Sequence, residues 1–307
     1  GDAFQQNCSS QEWKAFIEIC KSSFAFNPEK EGRLAGAKKL AMHEGAWDAV
    51  WDRYCEAPRK YPGIPEQIRK CTPPKEDLFW AANDGSFDGW PQWNEEQEAS
   101  LRQELNLLSS MPQHEAYQKI IELEAKHGRR RNLVWAELSE APLAEALLHL
   151  SHLAKVTSNA LTAGSIHDLA VVYRNIGWEA DDAVLKALTS VASSEDVEAV
   201  ISAIQTLYLP WLENSARYLQ QVVDTQGYPG GTINTAKPIE YENGECILFV
   251  DGMRMDIANH ITDRLKAKNL SIQESMVWTA LPSVTGTGKP AVSPVRNQIY
   301  GSDANVD

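Results

Sequence analysis

The sequence predicts a mainly α-helical protein, an irregular multi-helix bundle, followed by the first βαβ unit of an α/β domain. Three observations lead to this fold class. Apolar residues recur with helical spacing from about residue 10 to residue 226. A segment rich in glycine and proline follows, and the apolar run from Cys246 to Val250 then has the pattern of a buried strand. We therefore divide the chain into a helical domain at 1–226, a linker at 227–245 and the start of an α/β domain at 246–307.

The composition is that of a globular protein and excludes several functional classes. Hydrophobic residues make up 43% of the 307 residues, and charged residues make up 23%. The formal net charge is −13, and such a surface repels nucleic acid unless a local basic patch forms. The longest basic run, Arg129-Arg130-Arg131, is typical of a solvated helix end. No apolar run reaches the roughly eighteen residues of a membrane span, so no membrane role is expected.

The cysteines indicate the compartment. The chain has 5 cysteines, which are widely spaced and form no C-x-x-C pair. This pattern argues against a disulfide framework and against a zinc ribbon, and it fits a reducing compartment. No apolar signal segment follows Gly1. We therefore expect a cytoplasmic protein.

Amphipathic periodicity defines the helices of the first domain. The apolar residues at 13, 16, 17 and 20 lie on one helical face, and those at 47, 50, 51 and 54 repeat the pattern. The region 71–92 is expected to be an irregular connection, and Asn94 is expected to cap a helix that ends near Pro112. Further helices are expected at about 113–127, 132–139, 142–158, 165–176, 180–192 and 195–225. The aromatic residues on these faces are expected to be core residues.

The second domain begins with two apolar segments that flank an amphipathic helix. We expect strands at 246–250 and 276–281, a helix at 254–268 whose apolar residues face the sheet, and a further helix at 291–299. Such a βαβ unit has parallel strands and a right-handed crossover. Two strands do not close an α/β core, so further sheet is expected beyond Asp307 or from a partner chain.

Polar residues follow both predicted strands at their carboxyl ends, where open α/β sheets bind ligands. Asp251 follows the first strand, and Thr285 follows the second in a glycine-rich turn. A divalent cation held by Asp251 would activate the Thr285 hydroxyl as a nucleophile. The backbone of Gly286 and the ammonium of Lys289 are candidates for binding phosphate.

Other interpretations of these residues stay open at the level of sequence. Asp251 and Thr285 are both residue types that cap helices. Thr287 is a competing nucleophile in the same turn. Asp256 and His260 stand one helical turn apart, as a metal-ligand pair would, although a surface pair at this spacing is commoner.

The motif around these residues resembles a known family. The segments 250–256 (VDGMRMD), 281–285 (LPSVT) and 289–291 (KPA) resemble the PglZ proteins of the alkaline-phosphatase-like superfamily. Upstream, 47–65, 130–143 and 208–213 are similar as well, so the resemblance covers most of the chain. It is closest to the PglZ component of BREX systems, which protect bacteria against phage.

The resemblance implies a metal-dependent phosphohydrolase or phosphodiesterase with an alkaline-phosphatase-like α/β domain. Asp251 then matches a metal ligand, and Thr285 matches the nucleophile, which also contacts the metal. The metal is expected to be zinc, with manganese or magnesium in some members. The remaining ligands are Asp and His residues of later strands, and no stretch after Thr285 supplies them because Asp303 and Asp307 lie too early in the fold. We therefore expect a fragment that is inactive alone.

The resemblance also implies partners. Other BREX subunits are expected to bind, with a methyltransferase among them, and nucleic acid is expected only through the complete complex. The alternative is a non-catalytic helical scaffold that docks the other subunits of the defence complex.

Overall fold

The structure is a computed structural model that describes residues 2–74, 85, 87–230, 244, 246, 248, 250–276, 278–279 and 281–293. These residues form helices and connecting turns, and no strand is present among them. The chain separates into two units, one of Gly1–Ser158 with Ala183–Leu209 and one of Asn159–Asp182 with Pro210–Asp307. In the described part of the chain, every helix is too short or too polar to cross a membrane.

The first unit contains nine complete helices among its described residues. They are α1 (Asp2–Asn7), α2 (Ser10–Phe24), α3 (Pro28–Met42), α4 (Ala46–Cys55), α5 (Gly63–Arg69), α6 (Pro91–Leu107), α7 (Gln113–His127), α8 (Val134–Glu137) and α9 (Pro142–Thr157). Two further helices contribute residues to both units, namely α11 (Trp178–Thr189) and α12 (Ser194–Gln226). The division within α12 falls at Pro210, a residue that removes one hydrogen bond from a helix interior.

The second unit contains α10 (Ile166–Val172), a π-helical turn at Tyr173–Gly177, α13 (Met255–Ala267) and α14 (Thr285–Val292). The predicted helix at 254–268 is therefore confirmed as α13. The predicted helix at 291–299 falls mostly outside the described residues, and so does most of the predicted linker at 227–245. Tyr228 packs edge-on against Trp278 with ring centroids 5.6 Å apart, and its hydroxyl donates to the Thr279 carbonyl at 2.8 Å.

Short sequence signals set the starts of several helices. Ser9 and Glu12 form a capping box at α2, in which each side chain bonds the other residue's backbone N–H. The side chain of Asn27 accepts from two backbone N–H groups at the start of α3. Proline occupies the first position of α3, α6 and α9, where its missing N–H costs no intrahelical bond.

The core of the first unit is built from aromatic and leucine side chains. Trp90, Trp93 and Trp135 are at most 2% exposed, and Leu101 and Leu105 of α6 are fully buried. Trp51 of α4 is 8% exposed and joins the same cluster. The predicted core role of the aromatic residues is thus confirmed for Trp51 and Trp135.

The start of α6 differs from the prediction. The helix begins at Pro91, and Asn94 is a fully buried interior residue instead of a cap. Its amide donates to the Glu140 carbonyl at 2.6 Å. The helix can begin at Pro91 because the fixed φ of proline is already helical. The later residue Asn94 then lies inside the helix. The polar sequence alone therefore placed the cap at Asn94, four residues after the observed cap Trp90.

The predicted strands are not found among the described residues. Leu248 and Val250 are 84% and 47% exposed, and Met276 and Leu281 are 48% and 46% exposed, all without regular structure. A parallel strand requires neighbouring strands for its backbone groups and cover on both faces. The βαβ unit is therefore unsupported, and residues 247, 249, 277 and 280 lie outside the described residues.

Candidate active site

Thr285 is the first residue of α14, and it is exposed. The earliest backbone bonds of this helix run from the N–H groups of Thr287 and Gly288 to the Val284 carbonyl, at 3.1 and 2.8 Å. Thr285 and Gly286 supply the two N–H groups that precede these bonds, and such groups have no intrahelical acceptor. The Thr285 hydroxyl therefore stands beside N–H groups that have no acceptor within the helix, at its positive end.

Thr287, the competing nucleophile, is in a different environment. It is 7% exposed, and its hydroxyl donates toward the carbonyls of Pro282 and Val284, the latter at 3.1 Å. A hydroxyl held by local carbonyls stabilises the turn and is shielded from a substrate. Of the two threonines, Thr285 is therefore the better placed to react.

Asp251 lies in a turn beside α14. Gly252 has a φ of 64°, a left-handed conformation that favours glycine after the aspartate. The Lys289 ammonium contacts Asp251 Oδ2 at 2.7 Å. Lys289 comes four residues after Thr285, so both side chains lie on one face of α14. Lys289 thus links Asp251 to α14, the helix that begins at the predicted nucleophile.

The described residues do not by themselves make a metal site. None of their His, Cys, Asp and Glu side chains form a group of three or more that could hold a metal ion. Asp251 has Lys289 as its counter-ion. One carboxylate and one hydroxyl fall short of the four ligands of a typical protein zinc site.

Asp256 and His260 do not form the predicted i, i+4 pair. Asp256 is 1% exposed and accepts from Arg254 Nε at 3.1 Å. His260 Nε2 lies 2.6 Å from Asp182 Oδ1 of α11. His260 thus connects α13 to α11, whereas the contact of Asp256 is local to the start of α13.

Part of the apolar side of α13 is exposed, which differs from the prediction that it faces a sheet, whereas Met255, Ala258 and Leu265 are half-buried. Ile257 and Ile261 are 41% and 44% exposed. The described residues offer no sheet for them to cover, and the buried residue of α13 is Asp256.

The structure contradicts the prediction that the arginine run 129–131 is a solvated helix end. Arg130 is 1% exposed, and its Nη2 donates to Glu98 Oε1 at 2.7 Å and to Asn94 Oδ1 at 2.7 Å. Arg129 contacts Asp88 at 2.7 Å, and Arg131 pairs with Glu124. All three guanidinium groups are held by contacts within the first unit.

Glu98 links this cluster to the start of α9. Its carboxylate accepts from the backbone N–H groups of Leu143 at 2.8 Å and of Ala144 at 3.3 Å. Burial raises the pKa of Glu98, and the charge of Arg130 and the two helix N–H groups oppose this rise. The paired carboxylate therefore serves as both a counter-ion and a helix cap.

His127 packs beside the same pair. It is fully buried, and Arg130 Nη1 lies 3.4 Å from its Nδ1. Burial, with the charges of Arg130 and Lys126, lowers the pKa of His127 to about 3. The imidazole is therefore neutral in the folded protein at physiological pH.

We expect His127 to make the protein less stable in mild acid. The unfolded chain takes up this proton near pH 6.5, whereas the folded chain takes it up only near pH 3. The free energy of unfolding therefore falls by about 1.4 kcal/mol per pH unit as the pH drops from about 6.5 toward 3. Urea unfolding between pH 7 and pH 4 measures this slope, and His127→Gln should reduce it. The substitution His114→Gln at an exposed position should not, and equal slopes in all three proteins would rule out this role for His127.

Comparisons with known proteins give no match: no family model, no curated protein and no solved structure matches this chain. The resemblance to PglZ proteins remains a prediction from the sequence segments.

Proposed function

We propose that the chain carries the nucleophile of a PglZ-type metal-dependent phosphohydrolase or phosphodiesterase that acts in BREX anti-phage defence. The observation that supports this most is the exposed Thr285 hydroxyl at the start of α14, on the helix face where Lys289 meets Asp251. The spaced cysteines favour a cytoplasmic location for this activity.

The chemistry follows from what surrounds Thr285. A phosphoryl group beside its hydroxyl would meet the N–H groups of Thr285 and Gly286 and the positive end of the helix. Lys289 adds a cation within one helical turn. The Thr285 hydroxyl then loses its proton to solvent as its oxygen bonds to phosphorus, and the bond to the leaving oxygen breaks, with that oxygen protonated by solvent. Water later cleaves the threonine phosphoester and restores the hydroxyl.

We include a metal in this proposal because the PglZ proteins, which the sequence resembles, are metal-dependent. Asp251 and Thr285 are the two positions that would contact it, and the other ligands would come from residues outside those described. The metal would neutralise phosphate oxygens and activate the hydroxyl. The roles given above to Gly286 and Lys289 do not depend on it.

The exposed apolar residues of the second unit support the α/β part of the proposal. Leu248, Val250, Met276 and Leu281 are all at least 46% exposed. Exposed large apolar side chains, where they lie together, mark a surface that another element covers. We propose that this element is the remainder of a parallel sheet in which 246–250 and 276–281 become strands.

Hydrolysis of a generic aryl phosphodiester tests the proposed function. The chain is assayed alone and joined to the Asp- and His-containing α/β segment that the resemblance implies, after chelation and after addition of Zn²⁺, Mn²⁺ or Mg²⁺. We expect turnover by the joined protein only with metal, and none by the chain alone. Turnover that survives chelation, or a joined protein that folds and binds metal but does not hydrolyse any phosphoester, would contradict the proposal.

A non-catalytic scaffold is the second candidate. The observation that favours it is the well-packed helical first unit, together with the lack of a metal-binding group among the described residues. The two candidate functions are separated by measuring phage protection by a defence system that carries Thr285→Ala. Full protection supports the scaffold, and lost protection with retained binding to the methyltransferase supports the enzyme.

A further inference from the structure

Thr287 is the one buried residue among residues 281–290, all of which the structure describes. It is 7% exposed, whereas Thr285 and the residues of this segment that precede it are exposed. Segments with few buried contacts open easily. Thr287 is therefore the best-anchored residue of the segment that carries the proposed nucleophile.

The Thr287 hydroxyl donates back into the turn that precedes Thr285. Its acceptors are the carbonyls of Pro282 and Val284, the latter at 3.1 Å, and they share the single hydroxyl proton. The Val284 N–H donates to the same Pro282 carbonyl at 2.9 Å. Because Pro282 and Thr287 lie on either side of Thr285 in the chain, their contact closes the turn 282–287 around it.

α14 depends on this contact because its own sequence gives it little helical stability. It spans 8 residues and has glycine at 286 and 288, in its first turn, and glycine is a poor helix former. Its N-cap residue, Val284, makes no side-chain hydrogen bond to the first turn, whereas Ser, Thr, Asp and Asn caps supply one. The Thr287 hydroxyl instead ties the third residue of the helix to the carbonyls ahead of it.

This anchor bears on the proposed chemistry because a nucleophile must be held in place to react. The Thr285 hydroxyl and the N–H groups of Thr285 and Gly286 all belong to the first turn of α14. A phosphoryl group meets them together only if the turn keeps them in one arrangement. Small misplacements of a reacting group lower rates strongly.

We propose that Thr287 is a positioning residue for Thr285. Its hydroxyl holds the turn 282–287 closed, so that the Thr285 hydroxyl and the N–H groups of Thr285 and Gly286 keep a fixed arrangement for phosphoryl transfer. The inference rests on the proposed function, because this positioning matters only if Thr285 attacks phosphorus.

Thr287→Val tests this role in the metal-loaded protein that contains the complete α/β domain, because valine has the shape of threonine without the hydroxyl. We expect kcat for an aryl phosphomonoester to fall about threefold to tenfold, the effect of losing one hydrogen bond, with KM unchanged. Thr287→Ser keeps the donor and should stay within about twofold of the unsubstituted protein. Ser283→Ala removes an exposed hydroxyl from the same turn and should leave kcat unchanged. A loss in Thr287→Ser equal to that in Thr287→Val would overturn the proposal.

Single-turnover kinetics separate positioning from a general loss of fold. When the protein is in saturating excess over substrate, the rate constant does not depend on the fraction of molecules that are folded. We expect this constant to fall in Thr287→Val by the same factor as kcat. An unchanged constant would show that fewer molecules are folded and would contradict a positioning role. Circular dichroism checks folding, and Thr287→Ala replaces Thr287→Val if valine is not tolerated.

Amide hydrogen exchange in the 307-residue chain follows the turn itself and needs neither metal nor activity. Thr287→Val should speed exchange at the N–H groups of Val284, Thr287 and Gly288, which donate to the carbonyls of Pro282 and Val284, and Thr287→Ser should not. Unchanged exchange in Thr287→Val would show that the hydroxyl does not hold the turn.

The outcomes also distinguish this inference from the proposed function. Hydrolysis through a Thr285 adduct that Thr287→Val leaves unchanged would overturn the positioning role alone. Hydrolysis by the unsubstituted protein without any adduct on Thr285 would overturn the proposed function and the positioning role with it.

Discussion

Glu98→Ala is expected to lower the free energy of unfolding by about 3–5 kcal/mol, because it leaves a buried guanidinium without its partner. Arg130 is 1% exposed and donates to Glu98 at 2.7 Å. The same change removes the acceptor for the N–H groups of Leu143 and Ala144 at the start of α9. Chemical denaturation of the purified chain measures the effect.

Two further variants make this prediction specific. Glu104→Ala lies on the same helix and breaks a partly exposed pair with Lys119, so it should cost no more than about 1 kcal/mol. Glu98→Leu combined with Arg130→Met replaces the pair by apolar groups and should recover much of the lost stability. A Glu98→Ala cost equal to that of Glu104→Ala would show that the buried pair does not stabilise the unit.

Thr285→Ala is expected to reduce phosphoester hydrolysis by at least about a thousandfold in the metal-loaded protein that contains the complete α/β domain, since nucleophile removal in comparable enzymes costs this much or more. Thr285→Ser keeps a hydroxyl and should retain measurable activity. Thr287→Ala removes a hydroxyl that donates to carbonyls in the turn and should cost no more than about tenfold. Steady-state kcat and KM for the three variants measure these effects.

Thr287 is the control for this prediction. If Thr287→Ala abolished hydrolysis while Thr285→Ala did not, the roles of the two residues would be reversed. If neither changed it, the glycine-rich turn would not carry the nucleophile.

Helix positions were predictable where the sequence carries a periodic apolar face. The helices at 113–127 and 142–158 match α7 and α9 to within a residue. These helices pack through one continuous stripe, so local spacing and tertiary burial agree.

The buried polar cluster was not predicted, although the sequence contains a signal for it. Asn94 and Glu98 stand at i and i+4, and Leu101 follows at i+7, so all three share the buried face of α6. A polar residue on an apolar stripe needs a buried partner. Arg130, more than thirty residues later, is that partner, and such a distant pairing is set by the tertiary fold.

The predicted strands show a different limit of prediction from sequence. An apolar run such as 246–250 satisfies the pattern of a buried strand, but a strand forms only where neighbours accept its backbone bonds. The amphipathic helix between the runs needs no such neighbour, and α13 is present. Which side it buries depends on its surroundings, and here His260 contacts Asp182 of α11.

The central claim is that Thr285 forms a covalent bond to phosphorus. Acid quenching of the metal-loaded complete protein during turnover of a phosphomonoester, followed by peptide mass spectrometry, tests it most directly. We expect the phosphoryl group on the peptide that contains Thr285, and on Thr285 within it, with no adduct in Thr285→Ala. Steady hydrolysis with the adduct on Thr287 or on another residue would contradict the claim.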